Sequence, residues 1–167
     1  MLDPWSLGCL TVLAVCLIWL AVVDLRTGYL PDALQIALAV SGLAVVFIGS
    51  PIGISWQAAL IGALVNGGVF WGLRWAVSRL KGREAMGFGD VKLVAAGGLW
   101  LGPWALPYIM AAGGVLTLAG AGIAGLIKGK PVWQGEMPLG PGLAAGILGT
   151  FIGGLAQLSW LILMPAY

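Results

Sequence analysis

Long stretches without a charged side chain constrain this chain more than any other feature. Asp, Glu, Lys and Arg are all absent from residues 5–23, 33–73, 93–127 and 137–167. The whole sequence is 60% hydrophobic and 8% charged, with a mean hydropathy of +1.03. A soluble domain of this size does not need so much apolar surface, whereas about 20 apolar residues suffice for a helix to cross a bilayer. We therefore predict an all-α, polytopic membrane protein.

Charges and turn residues divide the chain into six predicted transmembrane helices. Residues 49–53 have a turn composition, and a second break falls near Gly102 and Pro103. The first apolar run is longer than the core of a cleavable signal peptide, so we expect it to remain as a helix. The fourth span has a short uncharged core and is expected to begin before residue 93. All six belong to one predicted domain, residues 1–167. The predicted spans are approximately 5–23, 33–49, 55–75, 88–102, 104–127 and 140–163.

The positions of the basic residues predict the orientation in the membrane. If the N-terminus lies outside, the cytoplasmic loops are residues 24–32, 76–87 and 128–139, and cytoplasmic loops are enriched in Lys and Arg. All eight basic residues then fall in or beside those loops. They are Arg26, Arg74, Arg79, Lys81, Arg83, Lys92, Lys128 and Lys130.

Composition also excludes several kinds of site. The chain has no histidine, which removes the Ser-His-Asp triad, the Cys-His pair and the imidazole base. A net charge of +2 without a basic patch gives no reason to expect nucleic acid as a partner. Cys9 and Cys16 are expected to be small core or lipid-facing residues. Glycines are expected to mediate close helix packing, at positions 142, 146, 149 and 153 on the last span and at 120, 122 and 125 on the fifth.

Asp90 is the most informative polar residue. It lies in the segment Gly-Phe-Gly-Asp-Val-Lys-Leu, residues 87–93, between apolar stretches. A carboxylate at the centre of a membrane helix costs roughly 2.5–3.5 kcal/mol on insertion scales, and such residues usually mark functional sites. The flanking glycines carry no side chain, so another segment can approach the acid closely.

Asp24 is the natural partner of Asp90. Asp24 ends the first span and Asp90 begins the fourth, so the predicted topology places both at the cytoplasmic edge. Two adjacent carboxyl groups do not both ionise cheaply and therefore share a proton. One can then act as a general base on water while the other protonates a carbonyl oxygen. This chemistry needs no metal and no cofactor.

Simpler interpretations stand beside this one. Asp24 can be a solvated helix end paired with Arg26, and Asp90 can cap the fourth helix or pair with Lys92. Lys92 can also extend its ammonium to the membrane surface. Asp32, which follows a proline, is expected to be the N-cap of the second span.

A third segment, Pro138-Leu139-Gly140-Pro141, opens the last span on the same predicted side. Its prolines lack backbone donors and its glycine bends freely. One interpretation is an ordinary helix-entry loop. The other is an irregular stretch that lines a cavity and pairs with an extended peptide.

Together these residues resemble the type IV prepilin peptidase family, the GxGD intramembrane aspartyl proteases. The family pattern has an Asp followed by Pro-Asn or Pro-Asp, then Gly-x-Gly-Asp-x-Lys-Leu, then Pro-x-Gly-Pro near the last helix. Asp24 with Pro31 and Asp32, residues 87–93 and residues 138–141 match the three blocks in order. Leu139 stands where the family often has an aromatic residue. The resemblance covers about residues 5–160.

The resemblance implies a membrane-embedded endopeptidase of the bacterial inner membrane, working for a type IV pilus or a secretion system. Asp24 and Asp90 would be its catalytic pair, without cofactor or metal. Its substrates would be prepilin-like precursors cleaved at the cytoplasmic face. Other residues of the three blocks are expected to bind substrate or to shape the site. These are Gly87, Gly89, Lys92, Pro138, Gly140 and Pro141.

The chain departs from the larger members of that family. It lacks their N-terminal region with paired Cys-x-x-Cys motifs, so N-methylation is not expected. Its length is similar to that of the minimal peptidases of Flp-type pili, or to that of a stand-alone peptidase domain. The competing hypothesis is a small proton- or cation-coupled transporter that uses the same acids. A transporter should hold its acids near the bilayer midplane, whereas the prediction places them at one edge.

Overall fold

The structure is a computed structural model that describes residues 3–82, 87–128 and 139–163. Within those ranges the chain forms helices and no strand, which confirms the all-α prediction. Predicted breaks near residues 50 and 102 are both present, and a short 3₁₀ turn over Pro103–Ala105 joins the fourth and fifth helices. The described helices are α1 Pro4–Thr27, α2 Asp32–Gly49, α3 Trp56–Lys81, α4 Phe88–Leu101, α5 Leu106–Lys128 and α6 Gly140–Leu163.

Local sequence chemistry sets the ends of α1. Asp3 is the N-cap, and its carboxylate accepts a hydrogen bond from the Ser6 N–H at 3.1 Å. Pro4 occupies the first helical turn, where its missing donor costs nothing. Gly28 ends the helix with φ of 64°, and its N–H donates to the Asp24 carbonyl at 2.8 Å. Asp24 therefore lies in the last complete turn of α1, within the helix and not beyond it.

Several helices are suited to a membrane. Four described segments are long and apolar enough to cross one, as judged by length and composition. They are Pro4–Thr27, Asp32–Gly49, Trp56–Leu80 and Pro103–Gly120. Large apolar side chains such as Phe47 and Leu64 are exposed on the outside of the bundle, as expected where lipid replaces water. The chain is thus a multi-pass membrane protein by its helices. Cys9 is buried and Cys16 half-buried, both as free thiols, as predicted.

The central element is α4. Ten of its 14 residues are buried, and it packs against α2, α3 and α6. Trp100 is fully enclosed, meets Phe151 edge-on at 5.7 Å, and donates its indole N–H to the Leu38 carbonyl at 2.9 Å. At 1.5 Å per residue α4 is about 21 Å long, shorter than the roughly 30 Å hydrocarbon core. It is therefore a short internal helix, and its first turn starts at Phe88 within the motif, as predicted.

Glycines bring two pairs of helices into backbone contact. A Cβ added at Gly62 of α3 or at Gly98 of α4 would overlap the main chain of the other residue. Between α5 and α6, Gly142 and Gly146 lie directly against the backbone around Gly113. This confirms the packing prediction for the first half of the α6 glycine series.

The prediction was wrong for two further glycines of α6 and for two of α5. A Cβ at Gly149, Gly153, Gly120 or Gly122 would meet nothing within 4 Å. The close approach of α5 and α6 is limited to the first two turns of α6, so glycines farther along α6 have no backbone opposite them. A periodic glycine pattern does not reveal where along a helix its neighbour crosses.

Candidate functional site

Asp24 is enclosed by the beginning of α6. Only 6% of the residue is exposed. A Cβ added at Gly140 would lie 2.5 Å from Oδ2 and 2.9 Å from Cγ of Asp24, so the carboxylate rests on the bare Cα of this glycine. The backbone N–H of Gly140 also interacts with the carboxylate. The first and third sequence motifs therefore meet in space, and any side chain at residue 140 would displace the acid.

Asp90 occupies the first turn of α4, with 7% of the residue exposed. The N-cap of α4 is Gly87, which has no side chain to accept a capping hydrogen bond. The helix dipole favours an acidic group in this first turn. The two motif glycines differ. A Cβ at Gly87 would make only an ordinary 3.6 Å contact with Asp90 Oδ2. A Cβ at Gly89 would lie 2.9 Å from Leu30 Cβ, so Gly89 is required by packing.

The fold brings the two acids together. Both are buried, they come from different helices, and they are close enough to interact electrostatically. Two helices, α2 and α6, each pack against both α1 and α4. Two enclosed carboxyl groups within electrostatic range of each other do not both ionise cheaply.

A model of the type IV leader peptidase family matches residues 11–127. The chain belongs to the type IV leader peptidase family. The matched range contains Asp24, Asp90 and the segment from Gly87 to Leu93.

Curated relatives agree with this family membership, and three of them carry the name prepilin leader peptidase/N-methyltransferase. The protein from Burkholderia pseudomallei (strain 1026b) is 37% identical over 144 residues, 85% of this chain and 45% of its own. The Dichelobacter nodosus protein is 36% identical over 152 residues, which are 91% of this chain and 51% of its own. The Aeromonas hydrophila protein is 39% identical over 140 residues, 80% and 47%. The chain spans about half the length of the curated relatives it matches. No solved structure gives a significant match.

An ion pair joins two motifs of this family member. Lys92 Nζ lies 2.6 Å from Asp32 Oδ1, with 40% and 55% of the two side chains exposed. The same ammonium lies 5.4 Å from the centre of the Phe88 ring. The pair connects the first turn of α2 with the beginning of α4.

The structure corrects three expectations about these charged residues. Asp32 is the first residue of α2 and not its N-cap, because Pro31 takes the cap position without a side-chain hydrogen bond. Lys92 pairs with Asp32 rather than with Asp90. In the described part of the chain, Asp24 and Arg26 form no ion pair, so the solvated helix-end interpretation of Asp24 is also wrong.

Sequence reasoning missed Gln35. This residue is 4% exposed in the second turn of α2, and its Nε2 donates to the Gly89 carbonyl at 3.0 Å. The available signal was a carboxamide in an otherwise apolar helix, three residues after the Pro-Asp pair. Such a group must find a partner when buried, but the sequence does not say which one.

The third segment is described from Leu139 onward, and Pro138 lies outside the described residues. The Leu139 carbonyl accepts from the Leu143 N–H at 3.0 Å, and the helix starts at Gly140. Pro141 is half-buried in the first turn, where a proline is tolerated. The described part of the segment is thus an ordinary helix start, with Gly140 as the residue that touches an acid.

We expect the ion pair between α2 and α4 to contribute little stability, because both side chains are exposed. In a double-mutant cycle with Asp32→Asn and Lys92→Met, the coupling in the free energy of unfolding should be about 0.2–1 kcal/mol at low ionic strength. It should shrink near 1 M salt, where the Debye length is about 3 Å. Unfolding in detergent micelles, followed by circular dichroism, measures it.

The control cycle combines Asp32→Asn with Arg79→Met. The Arg79 guanidinium lies over the Trp75 ring at 5.6 Å, so this pair should be additive. Equal coupling in the two cycles would mean that the contact between Asp32 and Lys92 contributes nothing specific.

Proposed function

We propose that the chain is a membrane-embedded aspartic endopeptidase that removes the short leader peptide of prepilin-like precursors, including those of the Flp type. The observation that carries the proposal is the burial of two carboxyl groups, Asp24 and Asp90, on different helices and within electrostatic range of each other. Membership of the type IV leader peptidase family supports the same activity. We take residues 1–167 as one peptidase domain.

The proposed reaction uses one proton shared by the two acids. The ionised carboxylate removes a proton from water, whose oxygen attacks the carbonyl carbon of the scissile peptide bond. The protonated acid gives its proton to the carbonyl oxygen, forming a neutral tetrahedral intermediate. When the intermediate collapses, the C–N bond breaks and the amine nitrogen takes up the proton held by the first acid. One hydroxyl of the intermediate returns its proton to the second acid as the carbonyl re-forms, which restores the starting state of the pair. Every proton moves between groups that this chain, the water and the peptide supply.

Residues around the acids would shape the approach of the substrate. Gly140 leaves space above Asp24, and Gly89 lets α4 start close to Leu30. Phe88 lies half-exposed beside the Lys92 ammonium, which places an aromatic and a cationic group on one edge of the site. We assign Gly87, Pro138 and Pro141 a supporting role in the same two segments.

We further propose six membrane crossings with the N-terminus outside, in the bacterial inner membrane. Asp24 lies near the end of α1 and Asp90 near the start of α4, so this topology gives both acids the same cytoplasmic side. The basic side chains of Arg26 and Arg79 fall on that side as well. The leader peptide of a precursor whose apolar helix is in the bilayer would reach the acids there.

The transporter hypothesis fits these positions less well. A coupling acid is expected near the midplane, at a break in a helix. Here Asp24 and Asp90 are each within a few residues of a helix end, and neither α1 nor α4 is interrupted. Position at an edge favours a reaction with a peptide that enters from the membrane surface.

The proposed dyad predicts that both acids are indispensable. Asp24→Asn and Asp90→Asn should each reduce kcat by about 10²- to 10⁴-fold, because the proton-transfer role of a carboxyl group is lost. The measurement uses purified protein in detergent and a prepilin-like substrate, with the loss of the leader read as a gel shift.

Asp3→Asn is the matched control for this experiment. It makes the same change on α1 at an exposed N-cap, and turnover should stay close to wild type. Near-normal cleavage by either Asp24→Asn or Asp90→Asn would rule out the dyad.

The contact between Asp24 and α6 predicts a second functional effect. In Gly140→Ala the new methyl group would lie 2.5 Å from Asp24 Oδ2, so the carboxylate must move. A displacement of about 1 Å can cost roughly 10²-fold in rate. We expect a loss of that order in kcat, measured in the same cleavage assay.

Gly153→Ala is its control on the same helix, because a Cβ there meets nothing within 4 Å. It should cleave at the wild-type rate. If Gly140→Ala cleaves as fast as Gly153→Ala, catalysis does not require Asp24 in the position that α6 encloses.

The proposed topology predicts opposite labelling of two exposed sites. With Cys9 and Cys16 replaced by Ala, a single cysteine at Trp104 should react with a membrane-impermeant maleimide added to intact spheroplasts. A single cysteine at Tyr29 should react only after lysis. Trp104 and Tyr29 are 85% and 61% exposed, so access across the membrane decides the result. The reverse pattern would invert the orientation.

A further inference from the structure

We propose that Gln35 is a positioning residue that fixes the orientation of Asp90 through the preceding peptide group. The inference rests on the proposed function, since it concerns the same acid. Gln35 Nε2 donates to the carbonyl of Gly89 at 3.0 Å, and that carbonyl belongs to the peptide bond whose nitrogen is the Asp90 N–H. The hydrogen bond therefore fixes the orientation of the Gly89–Asp90 peptide plane, to which the Asp90 Cα is attached.

In the first turn of α4 the bonds of the helix itself hold only the carbonyl side of each peptide group. The first N–H groups of a helix have no partner within the helix, and the Gly87 cap supplies no side chain. Gly89 is free to rotate because it has no Cβ. Gly89 contacts Leu30 and Gln35, and a Cβ added at Gly89 would lie 3.5 Å from Gln35 Nε2.

The ion pair between Asp32 and Lys92 acts two residues after Asp90, and Gln35 acts one residue before it. The ion pair is exposed to competing solvent and salt, whereas Gln35 is almost fully buried. The buried bond is thus the contact with α2 that restrains Asp90 most firmly. Its loss would let the Gly89–Asp90 peptide turn and would misdirect the acid without removing it.

The other end of α4 supplies a matched control. Asn66 of α3 is fully buried and donates its Nδ2 to the Gly102 carbonyl at 3.1 Å, just beyond the last residue of α4. In both carboxamides the oxygen is buried without a hydrogen-bond partner among the described residues. Gln35 and Asn66 thus make the same kind of bond, to opposite ends of one helix. Only the Gln35 bond is next to an acid.

The test compares Gln35→Met with Asn66→Leu, each nearly isosteric and each without a donor. Both should lower the unfolding temperature by similar amounts. Gln35→Met should also reduce kcat for leader cleavage by about 10- to 100-fold with KM within about twofold of wild type. Asn66→Leu should keep kcat within about twofold. Gln35→Asn retains the carboxamide on a shorter side chain and should recover part of the lost kcat.

A second readout does not depend on turnover. Amide hydrogen exchange of the peptide that covers residues 88–93, followed by mass spectrometry, should accelerate in Gln35→Met and stay unchanged in Asn66→Leu. Equal losses of kcat in Gln35→Met and Asn66→Leu, or a change in KM alone, would overturn the positioning role. If the wild-type protein cleaves no prepilin, the proposed function fails. The exchange rates then decide the inference, and unchanged exchange in Gln35→Met overturns it.

Discussion

The enclosure of two carboxyl groups in an apolar bundle is the constraint on which the rest of the structure depends. A buried acid is costly unless nearby groups compensate for the lost water. Asp24 has the backbone N–H of Gly140, and Asp90 lies in the favourable first turn of a helix. These compensations come from main-chain groups, which explains why glycines surround the acids. A side chain at residue 140 would occupy the space that the Asp24 carboxylate needs.

The short helix α4 makes this enclosure possible. Because neighbouring helices surround α4, the acid in its first turn is covered although it lies near a helix end. The far end is fixed by the backbone contact between Gly62 and Gly98 and by the buried indole of Trp100. Well-packed interiors transmit small displacements rather than absorb them. Contacts at the far end therefore fix where α4 lies in the bundle, while those at its first turn orient Asp90.

Much of the fold could be predicted from the sequence, because charges and turn residues are so sparse that each one marks a boundary. Because acidic residues are so few, the sequence also predicts that Asp24 and Asp90 lie close together. What could not be predicted was decided by pairings between helices. The choice of Lys92 between Asp32 and Asp90, the partner of Gln35, and the crossing point of α5 and α6 all depend on rotation and register, which hydropathy does not specify. Of the third motif, Pro138 lies outside the described residues, whereas Leu139, Gly140 and Pro141 are placed at the start of α6.

The third motif is linked to the site by evidence of a different kind from the first two. The family match covers residues 11–127 and ends before Gly140, so it says nothing about the segment that opens α6. The contact of Gly140 with the Asp24 carboxylate connects that segment to the acids through geometry alone. Sequence pattern and packing thus converge on the same three helix ends, those of α1, α4 and α6. Since α6 packs against both helices that carry the acids and its first residue touches Asp24, a change at its first turn can alter Asp24 directly and Asp90 through the bundle.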